Sequence, residues 1–241
     1  MGQPLFRPSV FETADELAGT VARNWLEQLR ELKTAAVTYL VALSGGRIAK
    51  QFFSAVARQA KAERGLFDTV HFFWGDERCV PPDDPESNFG IARDLLFEPL
   101  GIAESRVHRI KGELNPEVAA AEVERELRGI ARLNKEGQPV FDLVFLGMGE
   151  DGHVASLFPG EAAEVRASRA VYRSVVATKP PPHRITIGYA CLAAAKEIWV
   201  VASGAGKEKA LRDSLRGGET TPLGRVLGLK SDIRVFTDIR I

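Results

Sequence analysis

The sequence predicts an α/β protein built on an open, mostly parallel sheet with helices on both faces. Three observations lead there. Short, almost continuous apolar runs recur along 241 residues, the texture of strands covered on both sides, as parallel strands are. Stretches with helical spacing separate several of these runs. Loops carrying glycine or charge follow the runs directly, on the edge where open α/β sheets take their ligands.

In chain order, a helix opens with the capping box Thr13-Ala14-Asp15-Glu16, where Glu16 reaches back to the cap amide. Leu17, Val21, Trp25, Leu29 and Leu32 then recur at helical spacing as its buried stripe. The first strand is Ala36-Val37-Thr38-Tyr39-Leu40-Val41-Ala42-Leu43. The same texture returns at residues 70–74, 141–146, 171–176, 198–201 and 233–236, and more weakly at 184–187. Helical patterns cover about 47–61, 88–98, 116–133 and 206–216, and Asn115-Pro116 gives the third a cap and a first-turn proline. No internal repeat, charge block or Ser/Gly linker divides the chain, so one domain over residues 1–241 is expected.

Composition narrows the function classes. A chain that is 45% hydrophobic and 27% charged suits a soluble globular protein with a substantial core. Lys plus Arg (32) equals Asp plus Glu (32), so no overall field favours nucleic acid or an acidic membrane, and any attraction for anions is local. No apolar run approaches the ~18 residues of a membrane span. The start, Met1-Gly2-Gln3-Pro4-Leu5-Phe6, has no basic region followed by an apolar one, so no secretory signal is expected. Cys79 and Cys191 lie far apart without a C-x-x-C partner, which suits a reducing cytoplasm. His71, His108, His153 and His183 are scattered, so no metal site is expected.

The loops after the strands concentrate the unusual residues. They are Ser44-Gly45-Gly46, then Gly75-Asp76-Glu77-Arg78 with Ser87-Asn88, then Gly147 to His153, then Ser203-Gly204-Ala205-Gly206-Lys207. Ser44-Gly45-Gly46 stands between a buried strand and a helix start, where free amides point at an anion. Arg47 and Lys50 add positive charge just after it. Gly147, Gly149 and Gly152 satisfy G-x-G-x-x-G, but Pro159-Gly160 stops any long helix and no acidic residue ends the next strand. A dinucleotide fingerprint needs both. The glycines instead shape a loop presenting Asp151 and His153. His153 has the near-neutral intrinsic acidity that general acid–base chemistry uses, whereas His71, His108 and His183 read as packing or surface residues. Asp76, Glu77 and Arg78 read as a charged loop. Arg78, Arg184 and Lys207 together offer forks and a point charge to a phosphate.

At this point the residues resemble the 6-phosphogluconolactonases of the oxidative pentose phosphate pathway, in the glucosamine-6-phosphate isomerase/6-phosphogluconolactonase family. The matching stretches are Leu43–Gly46, Trp74–Arg78 with Pro85–Phe89, Phe141–Leu143 leading into Leu146–Gly160, Pro182–Thr186 and Gly204–Lys207. They stand in family order between about residues 36 and 211, and the run Gly147-Met148-Gly149-Glu150-Asp151-Gly152-His153-Val154-Ala155-Ser156-Leu157-Phe158-Pro159 is the most specific. One place departs: Arg47-Ile48-Ala49 stand where the family usually shows Ser-Thr-Pro after Ser-Gly-Gly.

The resemblance implies a Rossmann-like fold shared with glucosamine-6-phosphate deaminases and ribose-5-phosphate isomerases, and a single lactonase-like domain. It implies hydrolysis of 6-phospho-D-glucono-1,5-lactone to 6-phospho-D-gluconate without metal or cofactor. His153 is the expected general base and Asp151 its companion. Arg78, Arg184 and Lys207 are expected on the phosphate, helped by amides of Ser44, Gly45 and Gly46. Asp76 is expected on sugar hydroxyls, and Asn88 in the same substrate-binding set. The partner is then a small sugar phosphate, with no nucleic acid or membrane, and the chain a cytoplasmic monomer. Two other readings of the same pattern are a glucosamine-6-phosphate deaminase and a non-catalytic sugar-phosphate sensor. Ser156–Pro159 and Pro182–Thr186 favour the lactonase over the deaminase. Residues 1–35 are too short and too uniformly helical for the DNA-binding module a sensor usually carries.

Overall fold

The computed structural model describes residues 6–33, 37–63, 65–230 and 232–240. Ala36, at the head of the first expected strand, and the first five residues of the chain lie outside them.

The short strand β1 (Ser9–Val10) precedes helix α1 (Ala14–Lys33). Thr13 Oγ accepts the Glu16 amide at 3.2 Å, while the Glu16 carboxylate accepts from the Glu12 amide at 3.1 Å, one residue before the expected cap. Leu17, Val21, Trp25 and Leu29 are buried, but Leu32 is not: residues 30–33 are all exposed, so the last turn outruns the core. Then follow β2 (Tyr39–Leu43), α2 (Arg47–Ala60), β3 (Val70–Trp74) and β4 (Asp76–Arg78). The expected helix at 88–98 divides into α3 (Asn88–Ala92), a π turn (Arg93–Phe97) and α4 (Glu98–Leu100). Next come α5 (Pro116–Ile130), β5 (Leu143–Gly147), α6 (Ala163–Arg166), β6 (Tyr172–Val176) and β7 (His183–Ile187). Last are α7 (Tyr189–Ala194), β8 (Glu197–Ala202), α8 (Glu208–Leu215), α9 (Pro222–Leu227) and β9 (Ile233–Thr237).

Six strands form a sheet in the order β1-β9-β8-β5-β2-β3, every pair parallel. All five residues of β2 are buried, as an apolar run covered on both faces requires. Alternation along β3 sorts its side chains. Phe72 and Trp74 meet Phe97 on one face, while His71 and Phe73 meet His108 on the other. Trp25 of α1 gathers Phe52 of α2, Phe72 of β3 and Phe145 of β5, with ring centroids 5.4–6.5 Å apart. This aromatic cluster clamps α1 and α2 to the sheet. Truncating such a buried ring to alanine costs about 3–5 kcal/mol.

The expected sheet is mostly parallel, and the antiparallel pairing is confined to a second, smaller sheet. β4, β7 and β6 form a separate antiparallel sheet in that order. Asp76, Glu77 and Arg78, expected as a loop, are its first strand. The chain leaves the large sheet at Gly75, whose amide donates to Leu43 O (2.8 Å) and whose carbonyl accepts from Ile187 N (2.8 Å). Tyr172 Oη donates to Trp74 O at 2.8 Å and ties the far strand back to the same corner. The small sheet therefore stands beside the carboxyl ends of β2, β3 and β5 and supplies one wall of a cleft.

Candidate active site

Four loops at the carboxyl edge of the large sheet meet. After β2, Ser44 Oγ accepts the Gly147 amide at 3.0 Å, which joins that turn to the end of β5. A side chain on Gly45 would begin 1.8 Å from Asn88 Oδ1, so only glycine admits the Asn88 amide there. Asn88 Nδ2 donates to Asp76 O at 2.9 Å, and its buried Oδ1 has no protein partner.

The loop after β5 is closed by its own backbone, with Gly149 N donating to His153 O (2.9 Å) and Gly152 N to Gly149 O (3.1 Å). No helix follows Gly152, in keeping with the rejection of a dinucleotide fingerprint. Asp151 Oδ1 accepts the His153 amide at 3.1 Å and lies 2.6 Å from His153 Nδ1. An ionised carboxylate only accepts, so in the neutral ring the proton sits on Nδ1 and the lone pair on Nε2. The ring lies so close over Gly149 that a Cβ there would fall 2.1 Å from its atoms. Partial burial alone would raise the Asp151 carboxyl, but the nearby imidazole and its hydrogen bonds outweigh this and hold it below the usual carboxylate range. Phe158 flanks the imidazole with centroids 4.9 Å apart, and the Arg184 guanidinium lies 5.7 Å from the same Phe158 ring.

Antiparallel pairing sets Arg78 of β4 opposite Arg184 of β7. Arg78 Nη1 donates to Glu86 O (2.8 Å) and to its carboxylate (3.0 Å). Arg184 is 7% exposed and reaches only carbonyls, those of Pro181 (3.1 Å) and Lys179 (3.4 Å). Burial first, then the Arg78 charge, lowers its guanidinium from the ordinary value, against the pull of Asp76 and Glu86. Lys207, just before α8, is also lowered, by burial first and then by Arg47, with Glu150 and Asp238 opposing. Like charges held together in partial burial cost free energy unless an anion joins them.

Two buried acids brace this wall. Asp76 Oδ2 accepts from Ser156 Oγ at 2.6 Å, and the Ser156 amide donates to Thr186 Oγ1 at 3.0 Å. Glu77, 2% exposed, accepts the amides of Arg78, Asn88 and Phe89 at 2.7–2.8 Å and the Ser87 hydroxyl at 3.3 Å. Burial pushes its carboxyl up to about 7 despite those bonds. Sequence reasoning assigned no role to Glu77, Ser156 or Phe158. Ser156 and Phe158 stand inside the most specific motif, but nothing in the sequence says what they touch.

Ser44, Gly45, Gly46, Asp76, Arg78, Asn88, His153, Arg184 and Lys207 line one cleft of about 290 Å³. Asp151 does not line it and instead holds His153 from behind. Arg47 lines the cleft as well, whereas Lys50 lies outside it. Among the described residues no group of three His, Cys, Asp or Glu is placed to hold a metal ion, and no helix is long and apolar enough to cross a membrane. His71 and His108, read as packing or surface residues, do pack, stacked on each other and on Phe73, and they also form a polar chain. Arg106 Nη1 lies 2.6 Å from His71 Nε2, His71 Nδ1 2.8 Å from His108 Nε2, and His108 Nδ1 3.3 Å from Glu126 Oε2. His183 is exposed. A base with a free lone pair beside a cluster of cations can activate water against a small anionic molecule.

Comparison with known proteins identifies the family. The family model described as glucosamine-6-phosphate isomerases/6-phosphogluconolactonase matches residues 12–235. A curated 6-phosphogluconolactonase of Treponema pallidum is 39% identical over 205 residues, 84% of this chain and 81% of that protein. A crystal structure of a devB protein superposes with a TM-score of 0.85 at 31% identity, covering 96% of this chain and 95% of that one. The 6-phosphogluconolactonase of Trypanosoma brucei gives a TM-score of 0.80 at 28% identity, covering 96% and 97%.

Proposed function

The chain belongs to the glucosamine-6-phosphate isomerases/6-phosphogluconolactonase family, and from that premise we propose how its cleft hydrolyses 6-phospho-D-glucono-1,5-lactone to 6-phospho-D-gluconate. It is an enzyme of the lactonase branch, whose names its curated relatives and solved neighbours carry over most of their lengths. The reaction is the second step of the oxidative pentose phosphate pathway.

The observation that carries the mechanism is the Asp151–His153 pair at 2.6 Å. With its proton on Nδ1, the imidazole accepts a water proton at Nε2 as the water oxygen bonds to C1 of the lactone. The resulting tetrahedral oxyanion collapses, the bond from C1 to the ring oxygen breaks, and the imidazolium returns the proton to that oxygen. The new carboxylic acid then ionises to solvent. General acid–base help of this kind contributes about 10²–10⁴-fold. A lactone ester is labile enough for that factor plus positioning to suffice.

The C6 phosphate is the remote handle that brings C1 to His153. Arg78, Arg184 and Lys207 hold it, with amides of the Ser44–Gly46 turn as helpers. Asp76 and the unpartnered Asn88 Oδ1 accept from sugar hydroxyls. Remote binding energy spent on orientation raises turnover as well as affinity. The test is hydrolysis of the lactone made in situ by glucose-6-phosphate dehydrogenase, followed as 6-phosphogluconate above the spontaneous rate. Acceleration supports the reading. Release of ammonia from glucosamine 6-phosphate in its place would overturn it in favour of the deaminase branch.

A further inference from the structure

Arg47 is the one cation of the cleft wall with no counterpart in the motif pattern, which usually has Ser-Thr-Pro at 47–49. It is the first residue of α2, a helix of 14 residues with no acidic residue in its first turn and no side-chain bond at its Gly46 cap. A cation there opposes the helix dipole, an unfavourable placement that a bound anion relieves. The guanidinium lies over the loop after β8: a side chain on Gly204 would begin 3.6 Å from Arg47 Nη2. Its charge also bears on Lys207, in the direction that disfavours the ammonium.

Neither Arg47 nor Lys207 has a carboxylate within 4.0 Å among the described residues. Arg78 already pairs with Glu86, whereas Arg184, which donates only to two neutral carbonyls, keeps its charge unpaired. Arg47 and Lys207 add two more unpaired cations to the cleft, at the end formed by the α2 start and the β8 loop. Two cations without a direct ion pair, eased at Lys207 only by the more distant Glu150 and Asp238, repel each other in the empty protein, and a doubly charged anion between them removes that cost.

We infer that Arg47 is a substrate-binding residue that pairs with Lys207 on the phosphate dianion and sets the preference for phosphorylated over unphosphorylated lactone. In this chain the guanidinium replaces the side-chain hydroxyls that the usual Ser-Thr would offer. The inference rests on the proposed lactonase reading of the cleft.

The experiment compares wild type, Arg47→Ala, Arg47→Ser and Arg47→Lys on 6-phosphogluconolactone and on glucono-1,5-lactone, with thermal melts of each. Inorganic phosphate is titrated into each protein as an independent binding probe. In Arg47→Ala the ratio of kcat/KM for the phosphorylated to the unphosphorylated lactone falls at least tenfold, mostly through KM. Phosphate binding weakens by a similar factor, and the melting temperature stays level or rises. Arg47→Lys restores part of the ratio. An unchanged ratio, or equal losses on both lactones in a variant that melts like wild type, overturns the inference while the lactonase reading stands. If wild type accelerates neither lactone, the lactonase reading fails, and phosphate affinity in wild type against Arg47→Ala still decides the role of Arg47.

Discussion

Asp151 Oδ1 lies 2.6 Å from His153 Nδ1 and also accepts the His153 backbone amide, so one carboxylate fixes both the ring and the loop that carries it. The geometry predicts that Asp151→Asn keeps the backbone turn but weakens the hold on the tautomer and on the imidazolium formed during turnover. Its kcat should fall by about 10–100-fold, part of the general acid–base contribution, with KM changed far less. Steady-state kinetics beside a melt of each protein checks this. A kcat equal to wild type would remove Asp151 from the mechanism.

Lys207 separates binding from chemistry. Lys207→Ala should raise KM for the phosphorylated lactone about tenfold or more, the scale of one charge-assisted contact of ~1.5–3 kcal/mol. It should leave glucono-1,5-lactone hydrolysis within about twofold, because that substrate lacks the charge Lys207 meets. Equal losses on both substrates would assign Lys207 to the loop's architecture instead.

Glu77 collects three backbone amides and a hydroxyl from residues up to 12 positions away. Glu77→Gln exchanges one accepting oxygen for a donating amide that faces other donors. Each buried group left unsatisfied costs about 1–3 kcal/mol. The melting temperature should drop by several degrees, and KM should rise because Arg78 and Asn88 lose their anchor. Unchanged melting and kinetics would show that the brace is dispensable.

The chain Arg106–His71–His108–Glu126 makes stability depend on pH. Burial first, then the charges of His108 and Arg106, pulls His71 down to about 4, and burial likewise lowers His108 against the pull of Glu126. His71 therefore stays neutral in the folded protein down to about 4, and His108 takes up a proton less readily than it does in the unfolded chain, where a histidine titrates near about 6.5. At these two histidines the unfolded chain binds more protons in that window, so their contribution to stability is full above about 6.5 and falls toward pH 4. Between pH 7 and 4.5 the buried Glu77, raised to about 7, acts in the opposite direction, so the test is the difference between proteins: lowering the pH should cost wild type more melting temperature, or gain it less, than it does His71→Leu. Parallel pH profiles would remove this chain from the pH dependence.

The large sheet was legible because β2, β3, β5 and β8 are nearly pure apolar runs, and a strand buried on both faces leaves that signature. The small sheet was not. β4 is Asp76-Glu77-Arg78, which reads as solvated charge, and it is buried only because amides at 88 and 89, the Ser87 hydroxyl and Ser156 meet its carboxylates. Those partners come from chain far enough away that no local pattern announces them. The Gly-rich loop and His153 could be picked out because glycine, acid and histidine are uncommon together after a strand. Arg47 and Lys50 follow the same turn with the same charge, and only the direction of the α2 face decides that one lines the cleft and the other does not.

The central claim is that this cleft hydrolyses 6-phosphogluconolactone through His153. The direct measurement is 6-phosphogluconate formation above the spontaneous rate, with the lactone generated in situ, for wild type and for His153→Ala shown by its melt to be folded. Wild type should accelerate the reaction, and His153→Ala should lose about 10²–10⁴-fold in kcat while still binding 6-phosphogluconate. A folded His153→Ala that turns over like wild type would contradict the mechanism, and no acceleration by wild type would contradict the assignment itself.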